Sequence, residues 1–271
     1  MIHATLNGKE LRVAGLLTPL EAQMMLVVLD ITGDLTLADP AKSAVVESLG
    51  QLPASTYAAI LRAQDGLKVL RDPTADREET GSAVRDLPIS GRPGLIEVLE
   101  PVQRMADSIA RKARVRLGVI YVTDSDVTLY REDFTNPVIN SSDPHDLSRR
   151  FPEALIQEKI SKLATLLAPR ETPMQMVHLV ERVDRLNEAY QNGLRRLAEA
   201  GGGGFSVCRT TADIPEAIHA AFRAAASEYE ATLELPDRAP AAGLLRMWAA
   251  DERGKEIPLL YRARISLKEK K

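Results

Sequence analysis

Met24-Met25-Leu26-Val27-Val28-Leu29-Asp30-Ile31-Thr32-Gly33-Asp34 is an uninterrupted apolar run that ends abruptly in oxygen-bearing side chains. A strand with one wet face alternates apolar and polar residues. A strand covered on both faces does not, and such runs belong to the middle of parallel sheets. The same signature returns at Leu117–Val122, which runs into Thr123-Asp124-Ser125-Asp126. Helical spacing lies between the two runs. Pro40–Leu49 reads as a helix with Val45, Val46 and Leu49 inward. Thr56–Ala63 and Gly66–Leu70 read as a strand and its short neighbour. Asp76–Val84 and Pro93–Ala113 read as helices, the second with an inward stripe of Leu95, Val98, Leu99, Val102, Met105 and Ile109.

The alternation continues downstream. Pro137–Pro144 has loop composition, Pro152–Leu167 reads as a helix, and Met174–Val180 as a strand. Asp184–Glu199 is a helix with Leu186, Tyr190, Leu194 and Leu197 on one face, ended by the glycine run Gly201–Gly204. Phe205–Cys208 is a short strand. Asp213-Ile214-Pro215-Glu216 has the capping-box pattern and opens a helix with Ile214, Ile218, Ala221, Phe222 and Ala225 inward. The ends of the chain turn to β: Leu11–Leu16 after the turn Asn7-Gly8, then Glu230–Leu235, Gly243–Ala249 and Leu259–Ile265, with Asp251–Gly254 as a hairpin turn. Strands alternating with helices call for a doubly wound α/β fold, with a mostly parallel central sheet and helices on both faces. Short β additions at the N- and C-termini are expected to pair beside it. The boundaries follow: a β extension over 1–23, the α/β unit over 24–235, and a β hairpin packed on it over 236–271.

Composition narrows the function classes. The chain has 271 residues, 35 basic and 38 acidic, for a net charge of −3, and 45% hydrophobic residues. Basic and acidic residues are interleaved, so there is no basic stripe for nucleic acid. Lys268, Lys270 and Lys271 read as a solvated tail. Aromatic residues make up only 4%, too few for a base-stacking platform. Cys208 is the single cysteine, which excludes an intrachain disulfide and a cysteine-based zinc site. No apolar run approaches the ~18 residues that cross a bilayer. Met1–Thr5 lacks the basic and apolar regions of a signal peptide, which leaves open a chain that stays inside and one whose leader has been removed.

Ligands of open α/β sheets bind at the carboxyl ends of the strands, where strand order reverses. Asp30 and Asp124 end two buried strands, and converge there if those strands are neighbours. Two carboxylates in one crevice repel unless a cation or proton lies between them. Carboxylate, hydroxyl and water oxygens suit Mg²⁺, Ca²⁺ or Mn²⁺. The competing reading has both aspartates merely capping helices or satisfying loop amides. Other candidates are weaker. Gly201–Gly204 follows a helix, whereas a phosphate-binding loop precedes one. His3, His145, His178 and His219 have no ligand spacing and read as structural or surface residues. Cys208 reads as a small buried hydrophobe. Ser43, Ser90 and Ser125 lack a nucleophile-elbow context.

A strand running into Asp30-x-Thr32, a second ending Val122-Thr123-Asp124, and the helices between them resemble the von Willebrand factor type A domain, closest to bacterial relatives common in acidobacteria. Leu194–Gly202, Ala220–Leu235, Arg262–Arg264 and Asn7–Lys9 extend the resemblance over nearly the whole chain. It implies a usually non-enzymatic module that binds proteins through a metal-ion-dependent adhesion site, with Mg²⁺ or Ca²⁺ as the cation. Asp30, Thr32 and Asp124 match ligand positions of that site. Asp34 falls where a serine is expected, Pro93 where a threonine is, and Ser125 replaces a glycine. An Arg92 guanidinium reaching Asp30 or Asp34 would replace the cation altogether. The resemblance thus implies protein–protein binding through a degenerate adhesion site, rimmed by Leu35–Asp39, Ile89–Gly94 and Ser125–Ser142, with the protein partner unnamed. The alternatives are a metal-assisted hydrolase built on Asp30, Asp34 and Asp124, and a structural assembly module whose site has decayed. Export is compatible with the resemblance, and so is a cytoplasmic location.

Overall fold

The structure, a computed structural model, describes residues 2–19, 22–113, 115–127, 152–167, 172–236, 240, 242–259, 261 and 264–266. The chain enters through β1 (Ile2–Leu6), β2 (Lys9–Leu17) and β3 (Gln23–Asp30). It continues through α1 (Leu35–Gln51), β4 (Thr56–Arg62), β5 (Lys68–Thr74) and α2 (Arg77–Arg85). A 3₁₀ turn (Leu95–Val98) leads into α3 (Leu99–Lys112) and β6 (Arg116–Thr123). Then come α4 (Pro152–Leu167), β7 (Met174–His178), α5 (Arg185–Ala200), β8 (Phe205–Val207) and α6 (Ile214–Ala226). The chain closes with β9 (Glu230–Glu234), β10 (Ala242–Ala250), β11 (Glu256–Pro258) and β12 (Arg264–Ser266). The expected loop at Pro137–Pro144, the rim beyond Val127 and the lysine tail lie outside the described residues.

The central sheet has the order β5-β4-β3-β6-β7-β8, parallel except for β5 at its edge. The run that opened the reading, β3, is the middle of it, and period two sends its side chains to two cores. Leu26 and Val28 join Val102, Ile156, Ile160, Tyr190 and Leu194, under α3, α4 and α5. Met25, Val27 and Leu29 join Leu37, Val45, Leu49, Ile218 and Phe222, under α1 and α6. The fold is thus a doubly wound α/β sheet with helices on both faces. From β3 the chain passes to β4 on one side, and β6 lies on the other, so the strand order reverses between β3 and β6. That gap is where Asp30 and Asp124 emerge.

The remaining strands form a second, antiparallel sheet ordered β11-β10-β1-β2-β9, with β12 also on β10. Its buried residues, Ala4, Leu6, Leu11 and Leu245, form a cluster apart from the two central cores. β9, which the sequence groups with the α/β unit, pairs with β2 here. Its alternating half-buried pattern fits a one-sided antiparallel sheet and not a sheet covered twice.

Several helix starts differ from the sequence reading; the helix expected from Pro93 begins at Leu99, behind the 3₁₀ turn Leu95–Val98. The first helix begins at Leu35 rather than Pro40, because Asp34 caps it and Leu37 and Ala38 are buried; Pro40 lies inside it. Leu35–Asp39 is therefore helix, not a rim loop. The capping box before α6 is made by Thr210 and Asp213, one turn earlier than expected. The glycine run does end α5: Gly202 adopts φ +81° and Gly203 N–H bonds Ala198 O at 2.9 Å, closing a Schellman motif.

Candidate functional site

β3 and β6 run side by side in parallel register, with Asp30 opposite Thr123, and the Asp124 N–H donates to Asp30 O at 3.2 Å. The two aspartates therefore reach the same edge of the sheet. Both are buried, Asp30 completely and Asp124 to within 4%. Their carboxylates have separate partners. Residues two apart on a strand share a face, so Tyr121, Thr123 and Ser125 line up beside Asp30. Asp30 Oδ2 accepts from Tyr121 OH (2.7 Å) and from the hydroxyl pair of Ser125 (2.8 Å) and Thr123 (3.3 Å), whose oxygens lie 2.5 Å apart, so that one of the two donates to the other. Oδ1 accepts from Gly94 N–H at 2.8 Å, which ties the loop before α3 to the strand end. Asp124 instead holds Thr32: Oδ1 accepts from its N–H (2.8 Å) and Oγ1 (3.1 Å), and Oδ2 from the same N–H (3.0 Å).

Asp34 is occupied elsewhere. Its Oδ1 accepts from Thr36 N–H at 2.9 Å and Thr36 Oγ1 at 2.6 Å, which makes it the N-cap of α1. Arg92 is exposed, and its main chain exchanges bonds with Asp65: Asp65 Oδ1 accepts from Arg92 N–H and Arg92 O from Asp65 N–H, both at 2.9 Å. Pro93 is buried.

Further bonds stitch the neighbouring loops together. Gly33 N–H donates to Ile89 O at 2.6 Å, and Gln64 Nε2 to Ile31 O. His178 is fully buried, with Nε2 3.1 Å from Ser125 O and its ring edge-on to Tyr190. Asn187 accepts from Val127 N–H at 3.0 Å and donates to Asp126 and Asp184, each at 2.8 Å. Arg182 lies 3.8 Å from Asp126.

Electrostatics follow from burial. Burial pushes the Asp124 carboxyl up to about 7, the Thr32 hydrogen bonds act against this, and the nearby Asp30 charge adds to it. Burial likewise raises the Tyr121 phenol well above its ordinary value, reinforced by the Asp30 charge. It lowers His178 to about 4, so the ring is neutral at physiological pH. Asp34 is held below the usual carboxylate range by its bonds from Thr36. Cys208 is buried and its thiol is pushed up to about 11 by burial, which leaves an inert thiol.

The oxygens expected to ligate a divalent cation are engaged here with protein donors. A carboxylate offers about four lone-pair directions, and Asp30 takes three protons at a time, from Gly94 N–H, Tyr121 OH and one hydroxyl of the Thr123–Ser125 pair. Thr32 Oγ1 donates to Asp124 and keeps its lone pairs, Asp34 is turned to α1, and Pro93 has no side-chain oxygen. Among the described residues, no group of three His, Cys, Asp or Glu side chains is placed to hold a metal ion.

Sequence reasoning brought Asp30, Thr32 and Asp124 to one rim and missed what surrounds them. Tyr121, Thr123 and Ser125 carried a legible signal: three hydroxyls at period two, ending an apolar strand beside a buried carboxylate. His178 carried none, because its partner is a backbone carbonyl distant in sequence.

No family model matches the sequence, and no curated protein does. Solved structures do match. A von Willebrand factor type A protein from Catenulispora acidiphila is 15% identical, with a TM-score of 0.50, over 100% of this chain and 74% of that one. The vWF domain of the type V pili tip protein Mfa5 from Porphyromonas gingivalis is 13% identical, with a TM-score of 0.46, over 76% of this chain and 95% of that one. Proximal thread matrix protein 1 from the mussel byssus, in a form with a zinc-occupied adhesion motif, is 12% identical, with a TM-score of 0.49, over 78% of this chain and 50% of that one. The match thus spans about half the length of the mussel protein. Likeness at these identities concerns the backbone: the chain has the von Willebrand factor type A fold.

Proposed function

We propose that this chain is a non-catalytic protein-interaction module that uses the rim of the Asp30–Asp124 crevice without a bound cation. The observation that carries the reading is the saturation of the buried acids. Asp30 takes protons from Gly94, Tyr121 and the Thr123–Ser125 hydroxyl pair, and Asp124 holds Thr32, which supports a crevice closed by its own hydrogen bonds. What the same edge offers to a partner is apolar. Leu35 is 60% exposed at the start of α1, and Val183, in the loop after β7, is 80% exposed. The charged groups Asp34 and Arg182 lie near them, close enough to attract one another. Leu35 and Val183 are the apolar groups that this edge offers a partner to bury, flanked by charge. The loops beneath are fixed by the bonds described above, so a partner meets a pre-organised surface. A metal-assisted hydrolase would need a carboxylate left unsatisfied for metal or water, and the groups named for it are committed.

The test is affinity capture from the source organism in EDTA, comparing wild type with Leu35→Asp/Val183→Asp. These exposed substitutions leave the buried bonds intact. The expected result is a partner set retained by wild type in EDTA and lost in the variant. Partners that need a divalent cation, or that survive the variant, would contradict the reading, as would metal-dependent hydrolysis by the wild type.

A further inference from the structure

The second sheet leaves and rejoins the α/β unit at one point. The chain passes from β2 to β3 by way of Pro19 and Ala22, and from α6 to β9 by way of Ser227 and Glu228. Both passages meet the guanidinium of Arg116, the first residue of β6, which is only 3% exposed. Its Nη1 donates to Glu228 O at 2.7 Å and its Nη2 to Pro19 O at 3.1 Å, while its own N–H donates to Ala22 O at 3.3 Å. Neighbouring bonds close the joint: Gln175 Nε2 donates to the Glu228 carboxylate at 3.0 Å, and Gln23 Nε2 to Ala225 O at 2.6 Å.

We infer that Arg116 is a clasp that turns these two passages into one rigid joint, holding the second sheet at the edge of the α/β unit opposite the Asp30–Asp124 crevice. Three facts carry this. Among the described residues, the second sheet has its own small core, separate from the two cores of the central sheet, so the polar joint is a distinct tie between the two. A planar guanidinium presents donors in a fork and holds two carbonyls at once, which no other side chain does with the same geometry. These carbonyls satisfy Nη1 and Nη2, and losing either contact would leave a further buried charged donor unsatisfied. Gln23 and Arg116 start β3 and β6, and Asp30 and Asp124 lie at the far ends, so the clasp leaves the crevice facing away from the attached sheet. The second sheet then serves as a mount. This inference stands whatever the rim binds.

Arg116→Ala and Arg116→Lys are compared with wild type by small-angle scattering, amide hydrogen exchange and thermal melting. The expected result for Arg116→Ala is a larger radius of gyration and loss of exchange protection at the amides of residue 116, which bonds Ala22 O, and of Ser227, beside Glu228, with the rest of β3 and β6 still protected. Arg116→Lys, which keeps the charge but has no fork, should lose protection at one passage or both. Unchanged radius and protection in both variants would overturn the clasp. If neither variant folds, the wild type decides: protection of the Arg116 and Ser227 amides approaching that of β3 supports the joint, and fast exchange there overturns it.

Discussion

Asp124 shows how a buried carboxylate can be held without a counter-charge. Its folded value of about 7 lies above the ordinary carboxylate range, so the fold favours its protonated form. The stability it contributes is present below its unfolded value and is lost as pH rises toward 7. Glu228, pushed to about 7 by burial, acts in the same window and with the same sign. His178 opposes them. It is neutral in the fold down to about 4, so its contribution grows as pH rises from there to about 6.5. Single variants separate these effects. Asp124→Asn keeps an oxygen for Thr32 and cannot ionise. Between pH 5 and pH 8, the melting midpoint of Asp124→Asn is expected to fall less than that of wild type, with the difference flattening above about pH 7. Parallel curves for the two proteins across that range would show that Asp124 is ionised in the fold at all these pH values.

At the scale of the element, one residue decided how much of the site was readable. The strands announced themselves: runs such as Met24–Leu29 and Leu117–Val122 have few alternatives to a doubly covered sheet. Helix starts were less legible. Pro40 looked like a first-turn proline, and Asp34 looked like a ligand because it stands four residues after Asp30. The structure makes Asp34 the cap of α1, a role that depends on where the helix begins and therefore on Leu37 and Ala38 finding the core. Spacing alone cannot separate a cap from a ligand, since both use the same oxygen. Removing the cap by Asp34→Ala is expected to cost about 1 kcal/mol in chemical denaturation. It should leave the exchange protection of Thr32 N–H unchanged, since that bond belongs to Asp124. Loss of protection at Thr32 would mean that Asp34 also supports the crevice.

For the whole molecule, the sequence conveyed the architecture and the shared rim but not the distribution of donors around it. The doubly wound order follows from alternating elements and from handedness. That β9 turns away to β2, and that Tyr121 and Ser125 converge on Asp30, depends on neighbours remote in sequence. In the proposed function, hydrogen bonds take the place of a cation in holding the crevice together. Its most direct test is the melting midpoint of the wild type in EDTA and in about millimolar Mg²⁺, Ca²⁺, Mn²⁺ and Zn²⁺, since any ion that binds the folded state raises that midpoint. The prediction is one midpoint in all five conditions. A rise with any of these ions that disappears in Asp30→Ala/Asp124→Ala would contradict it.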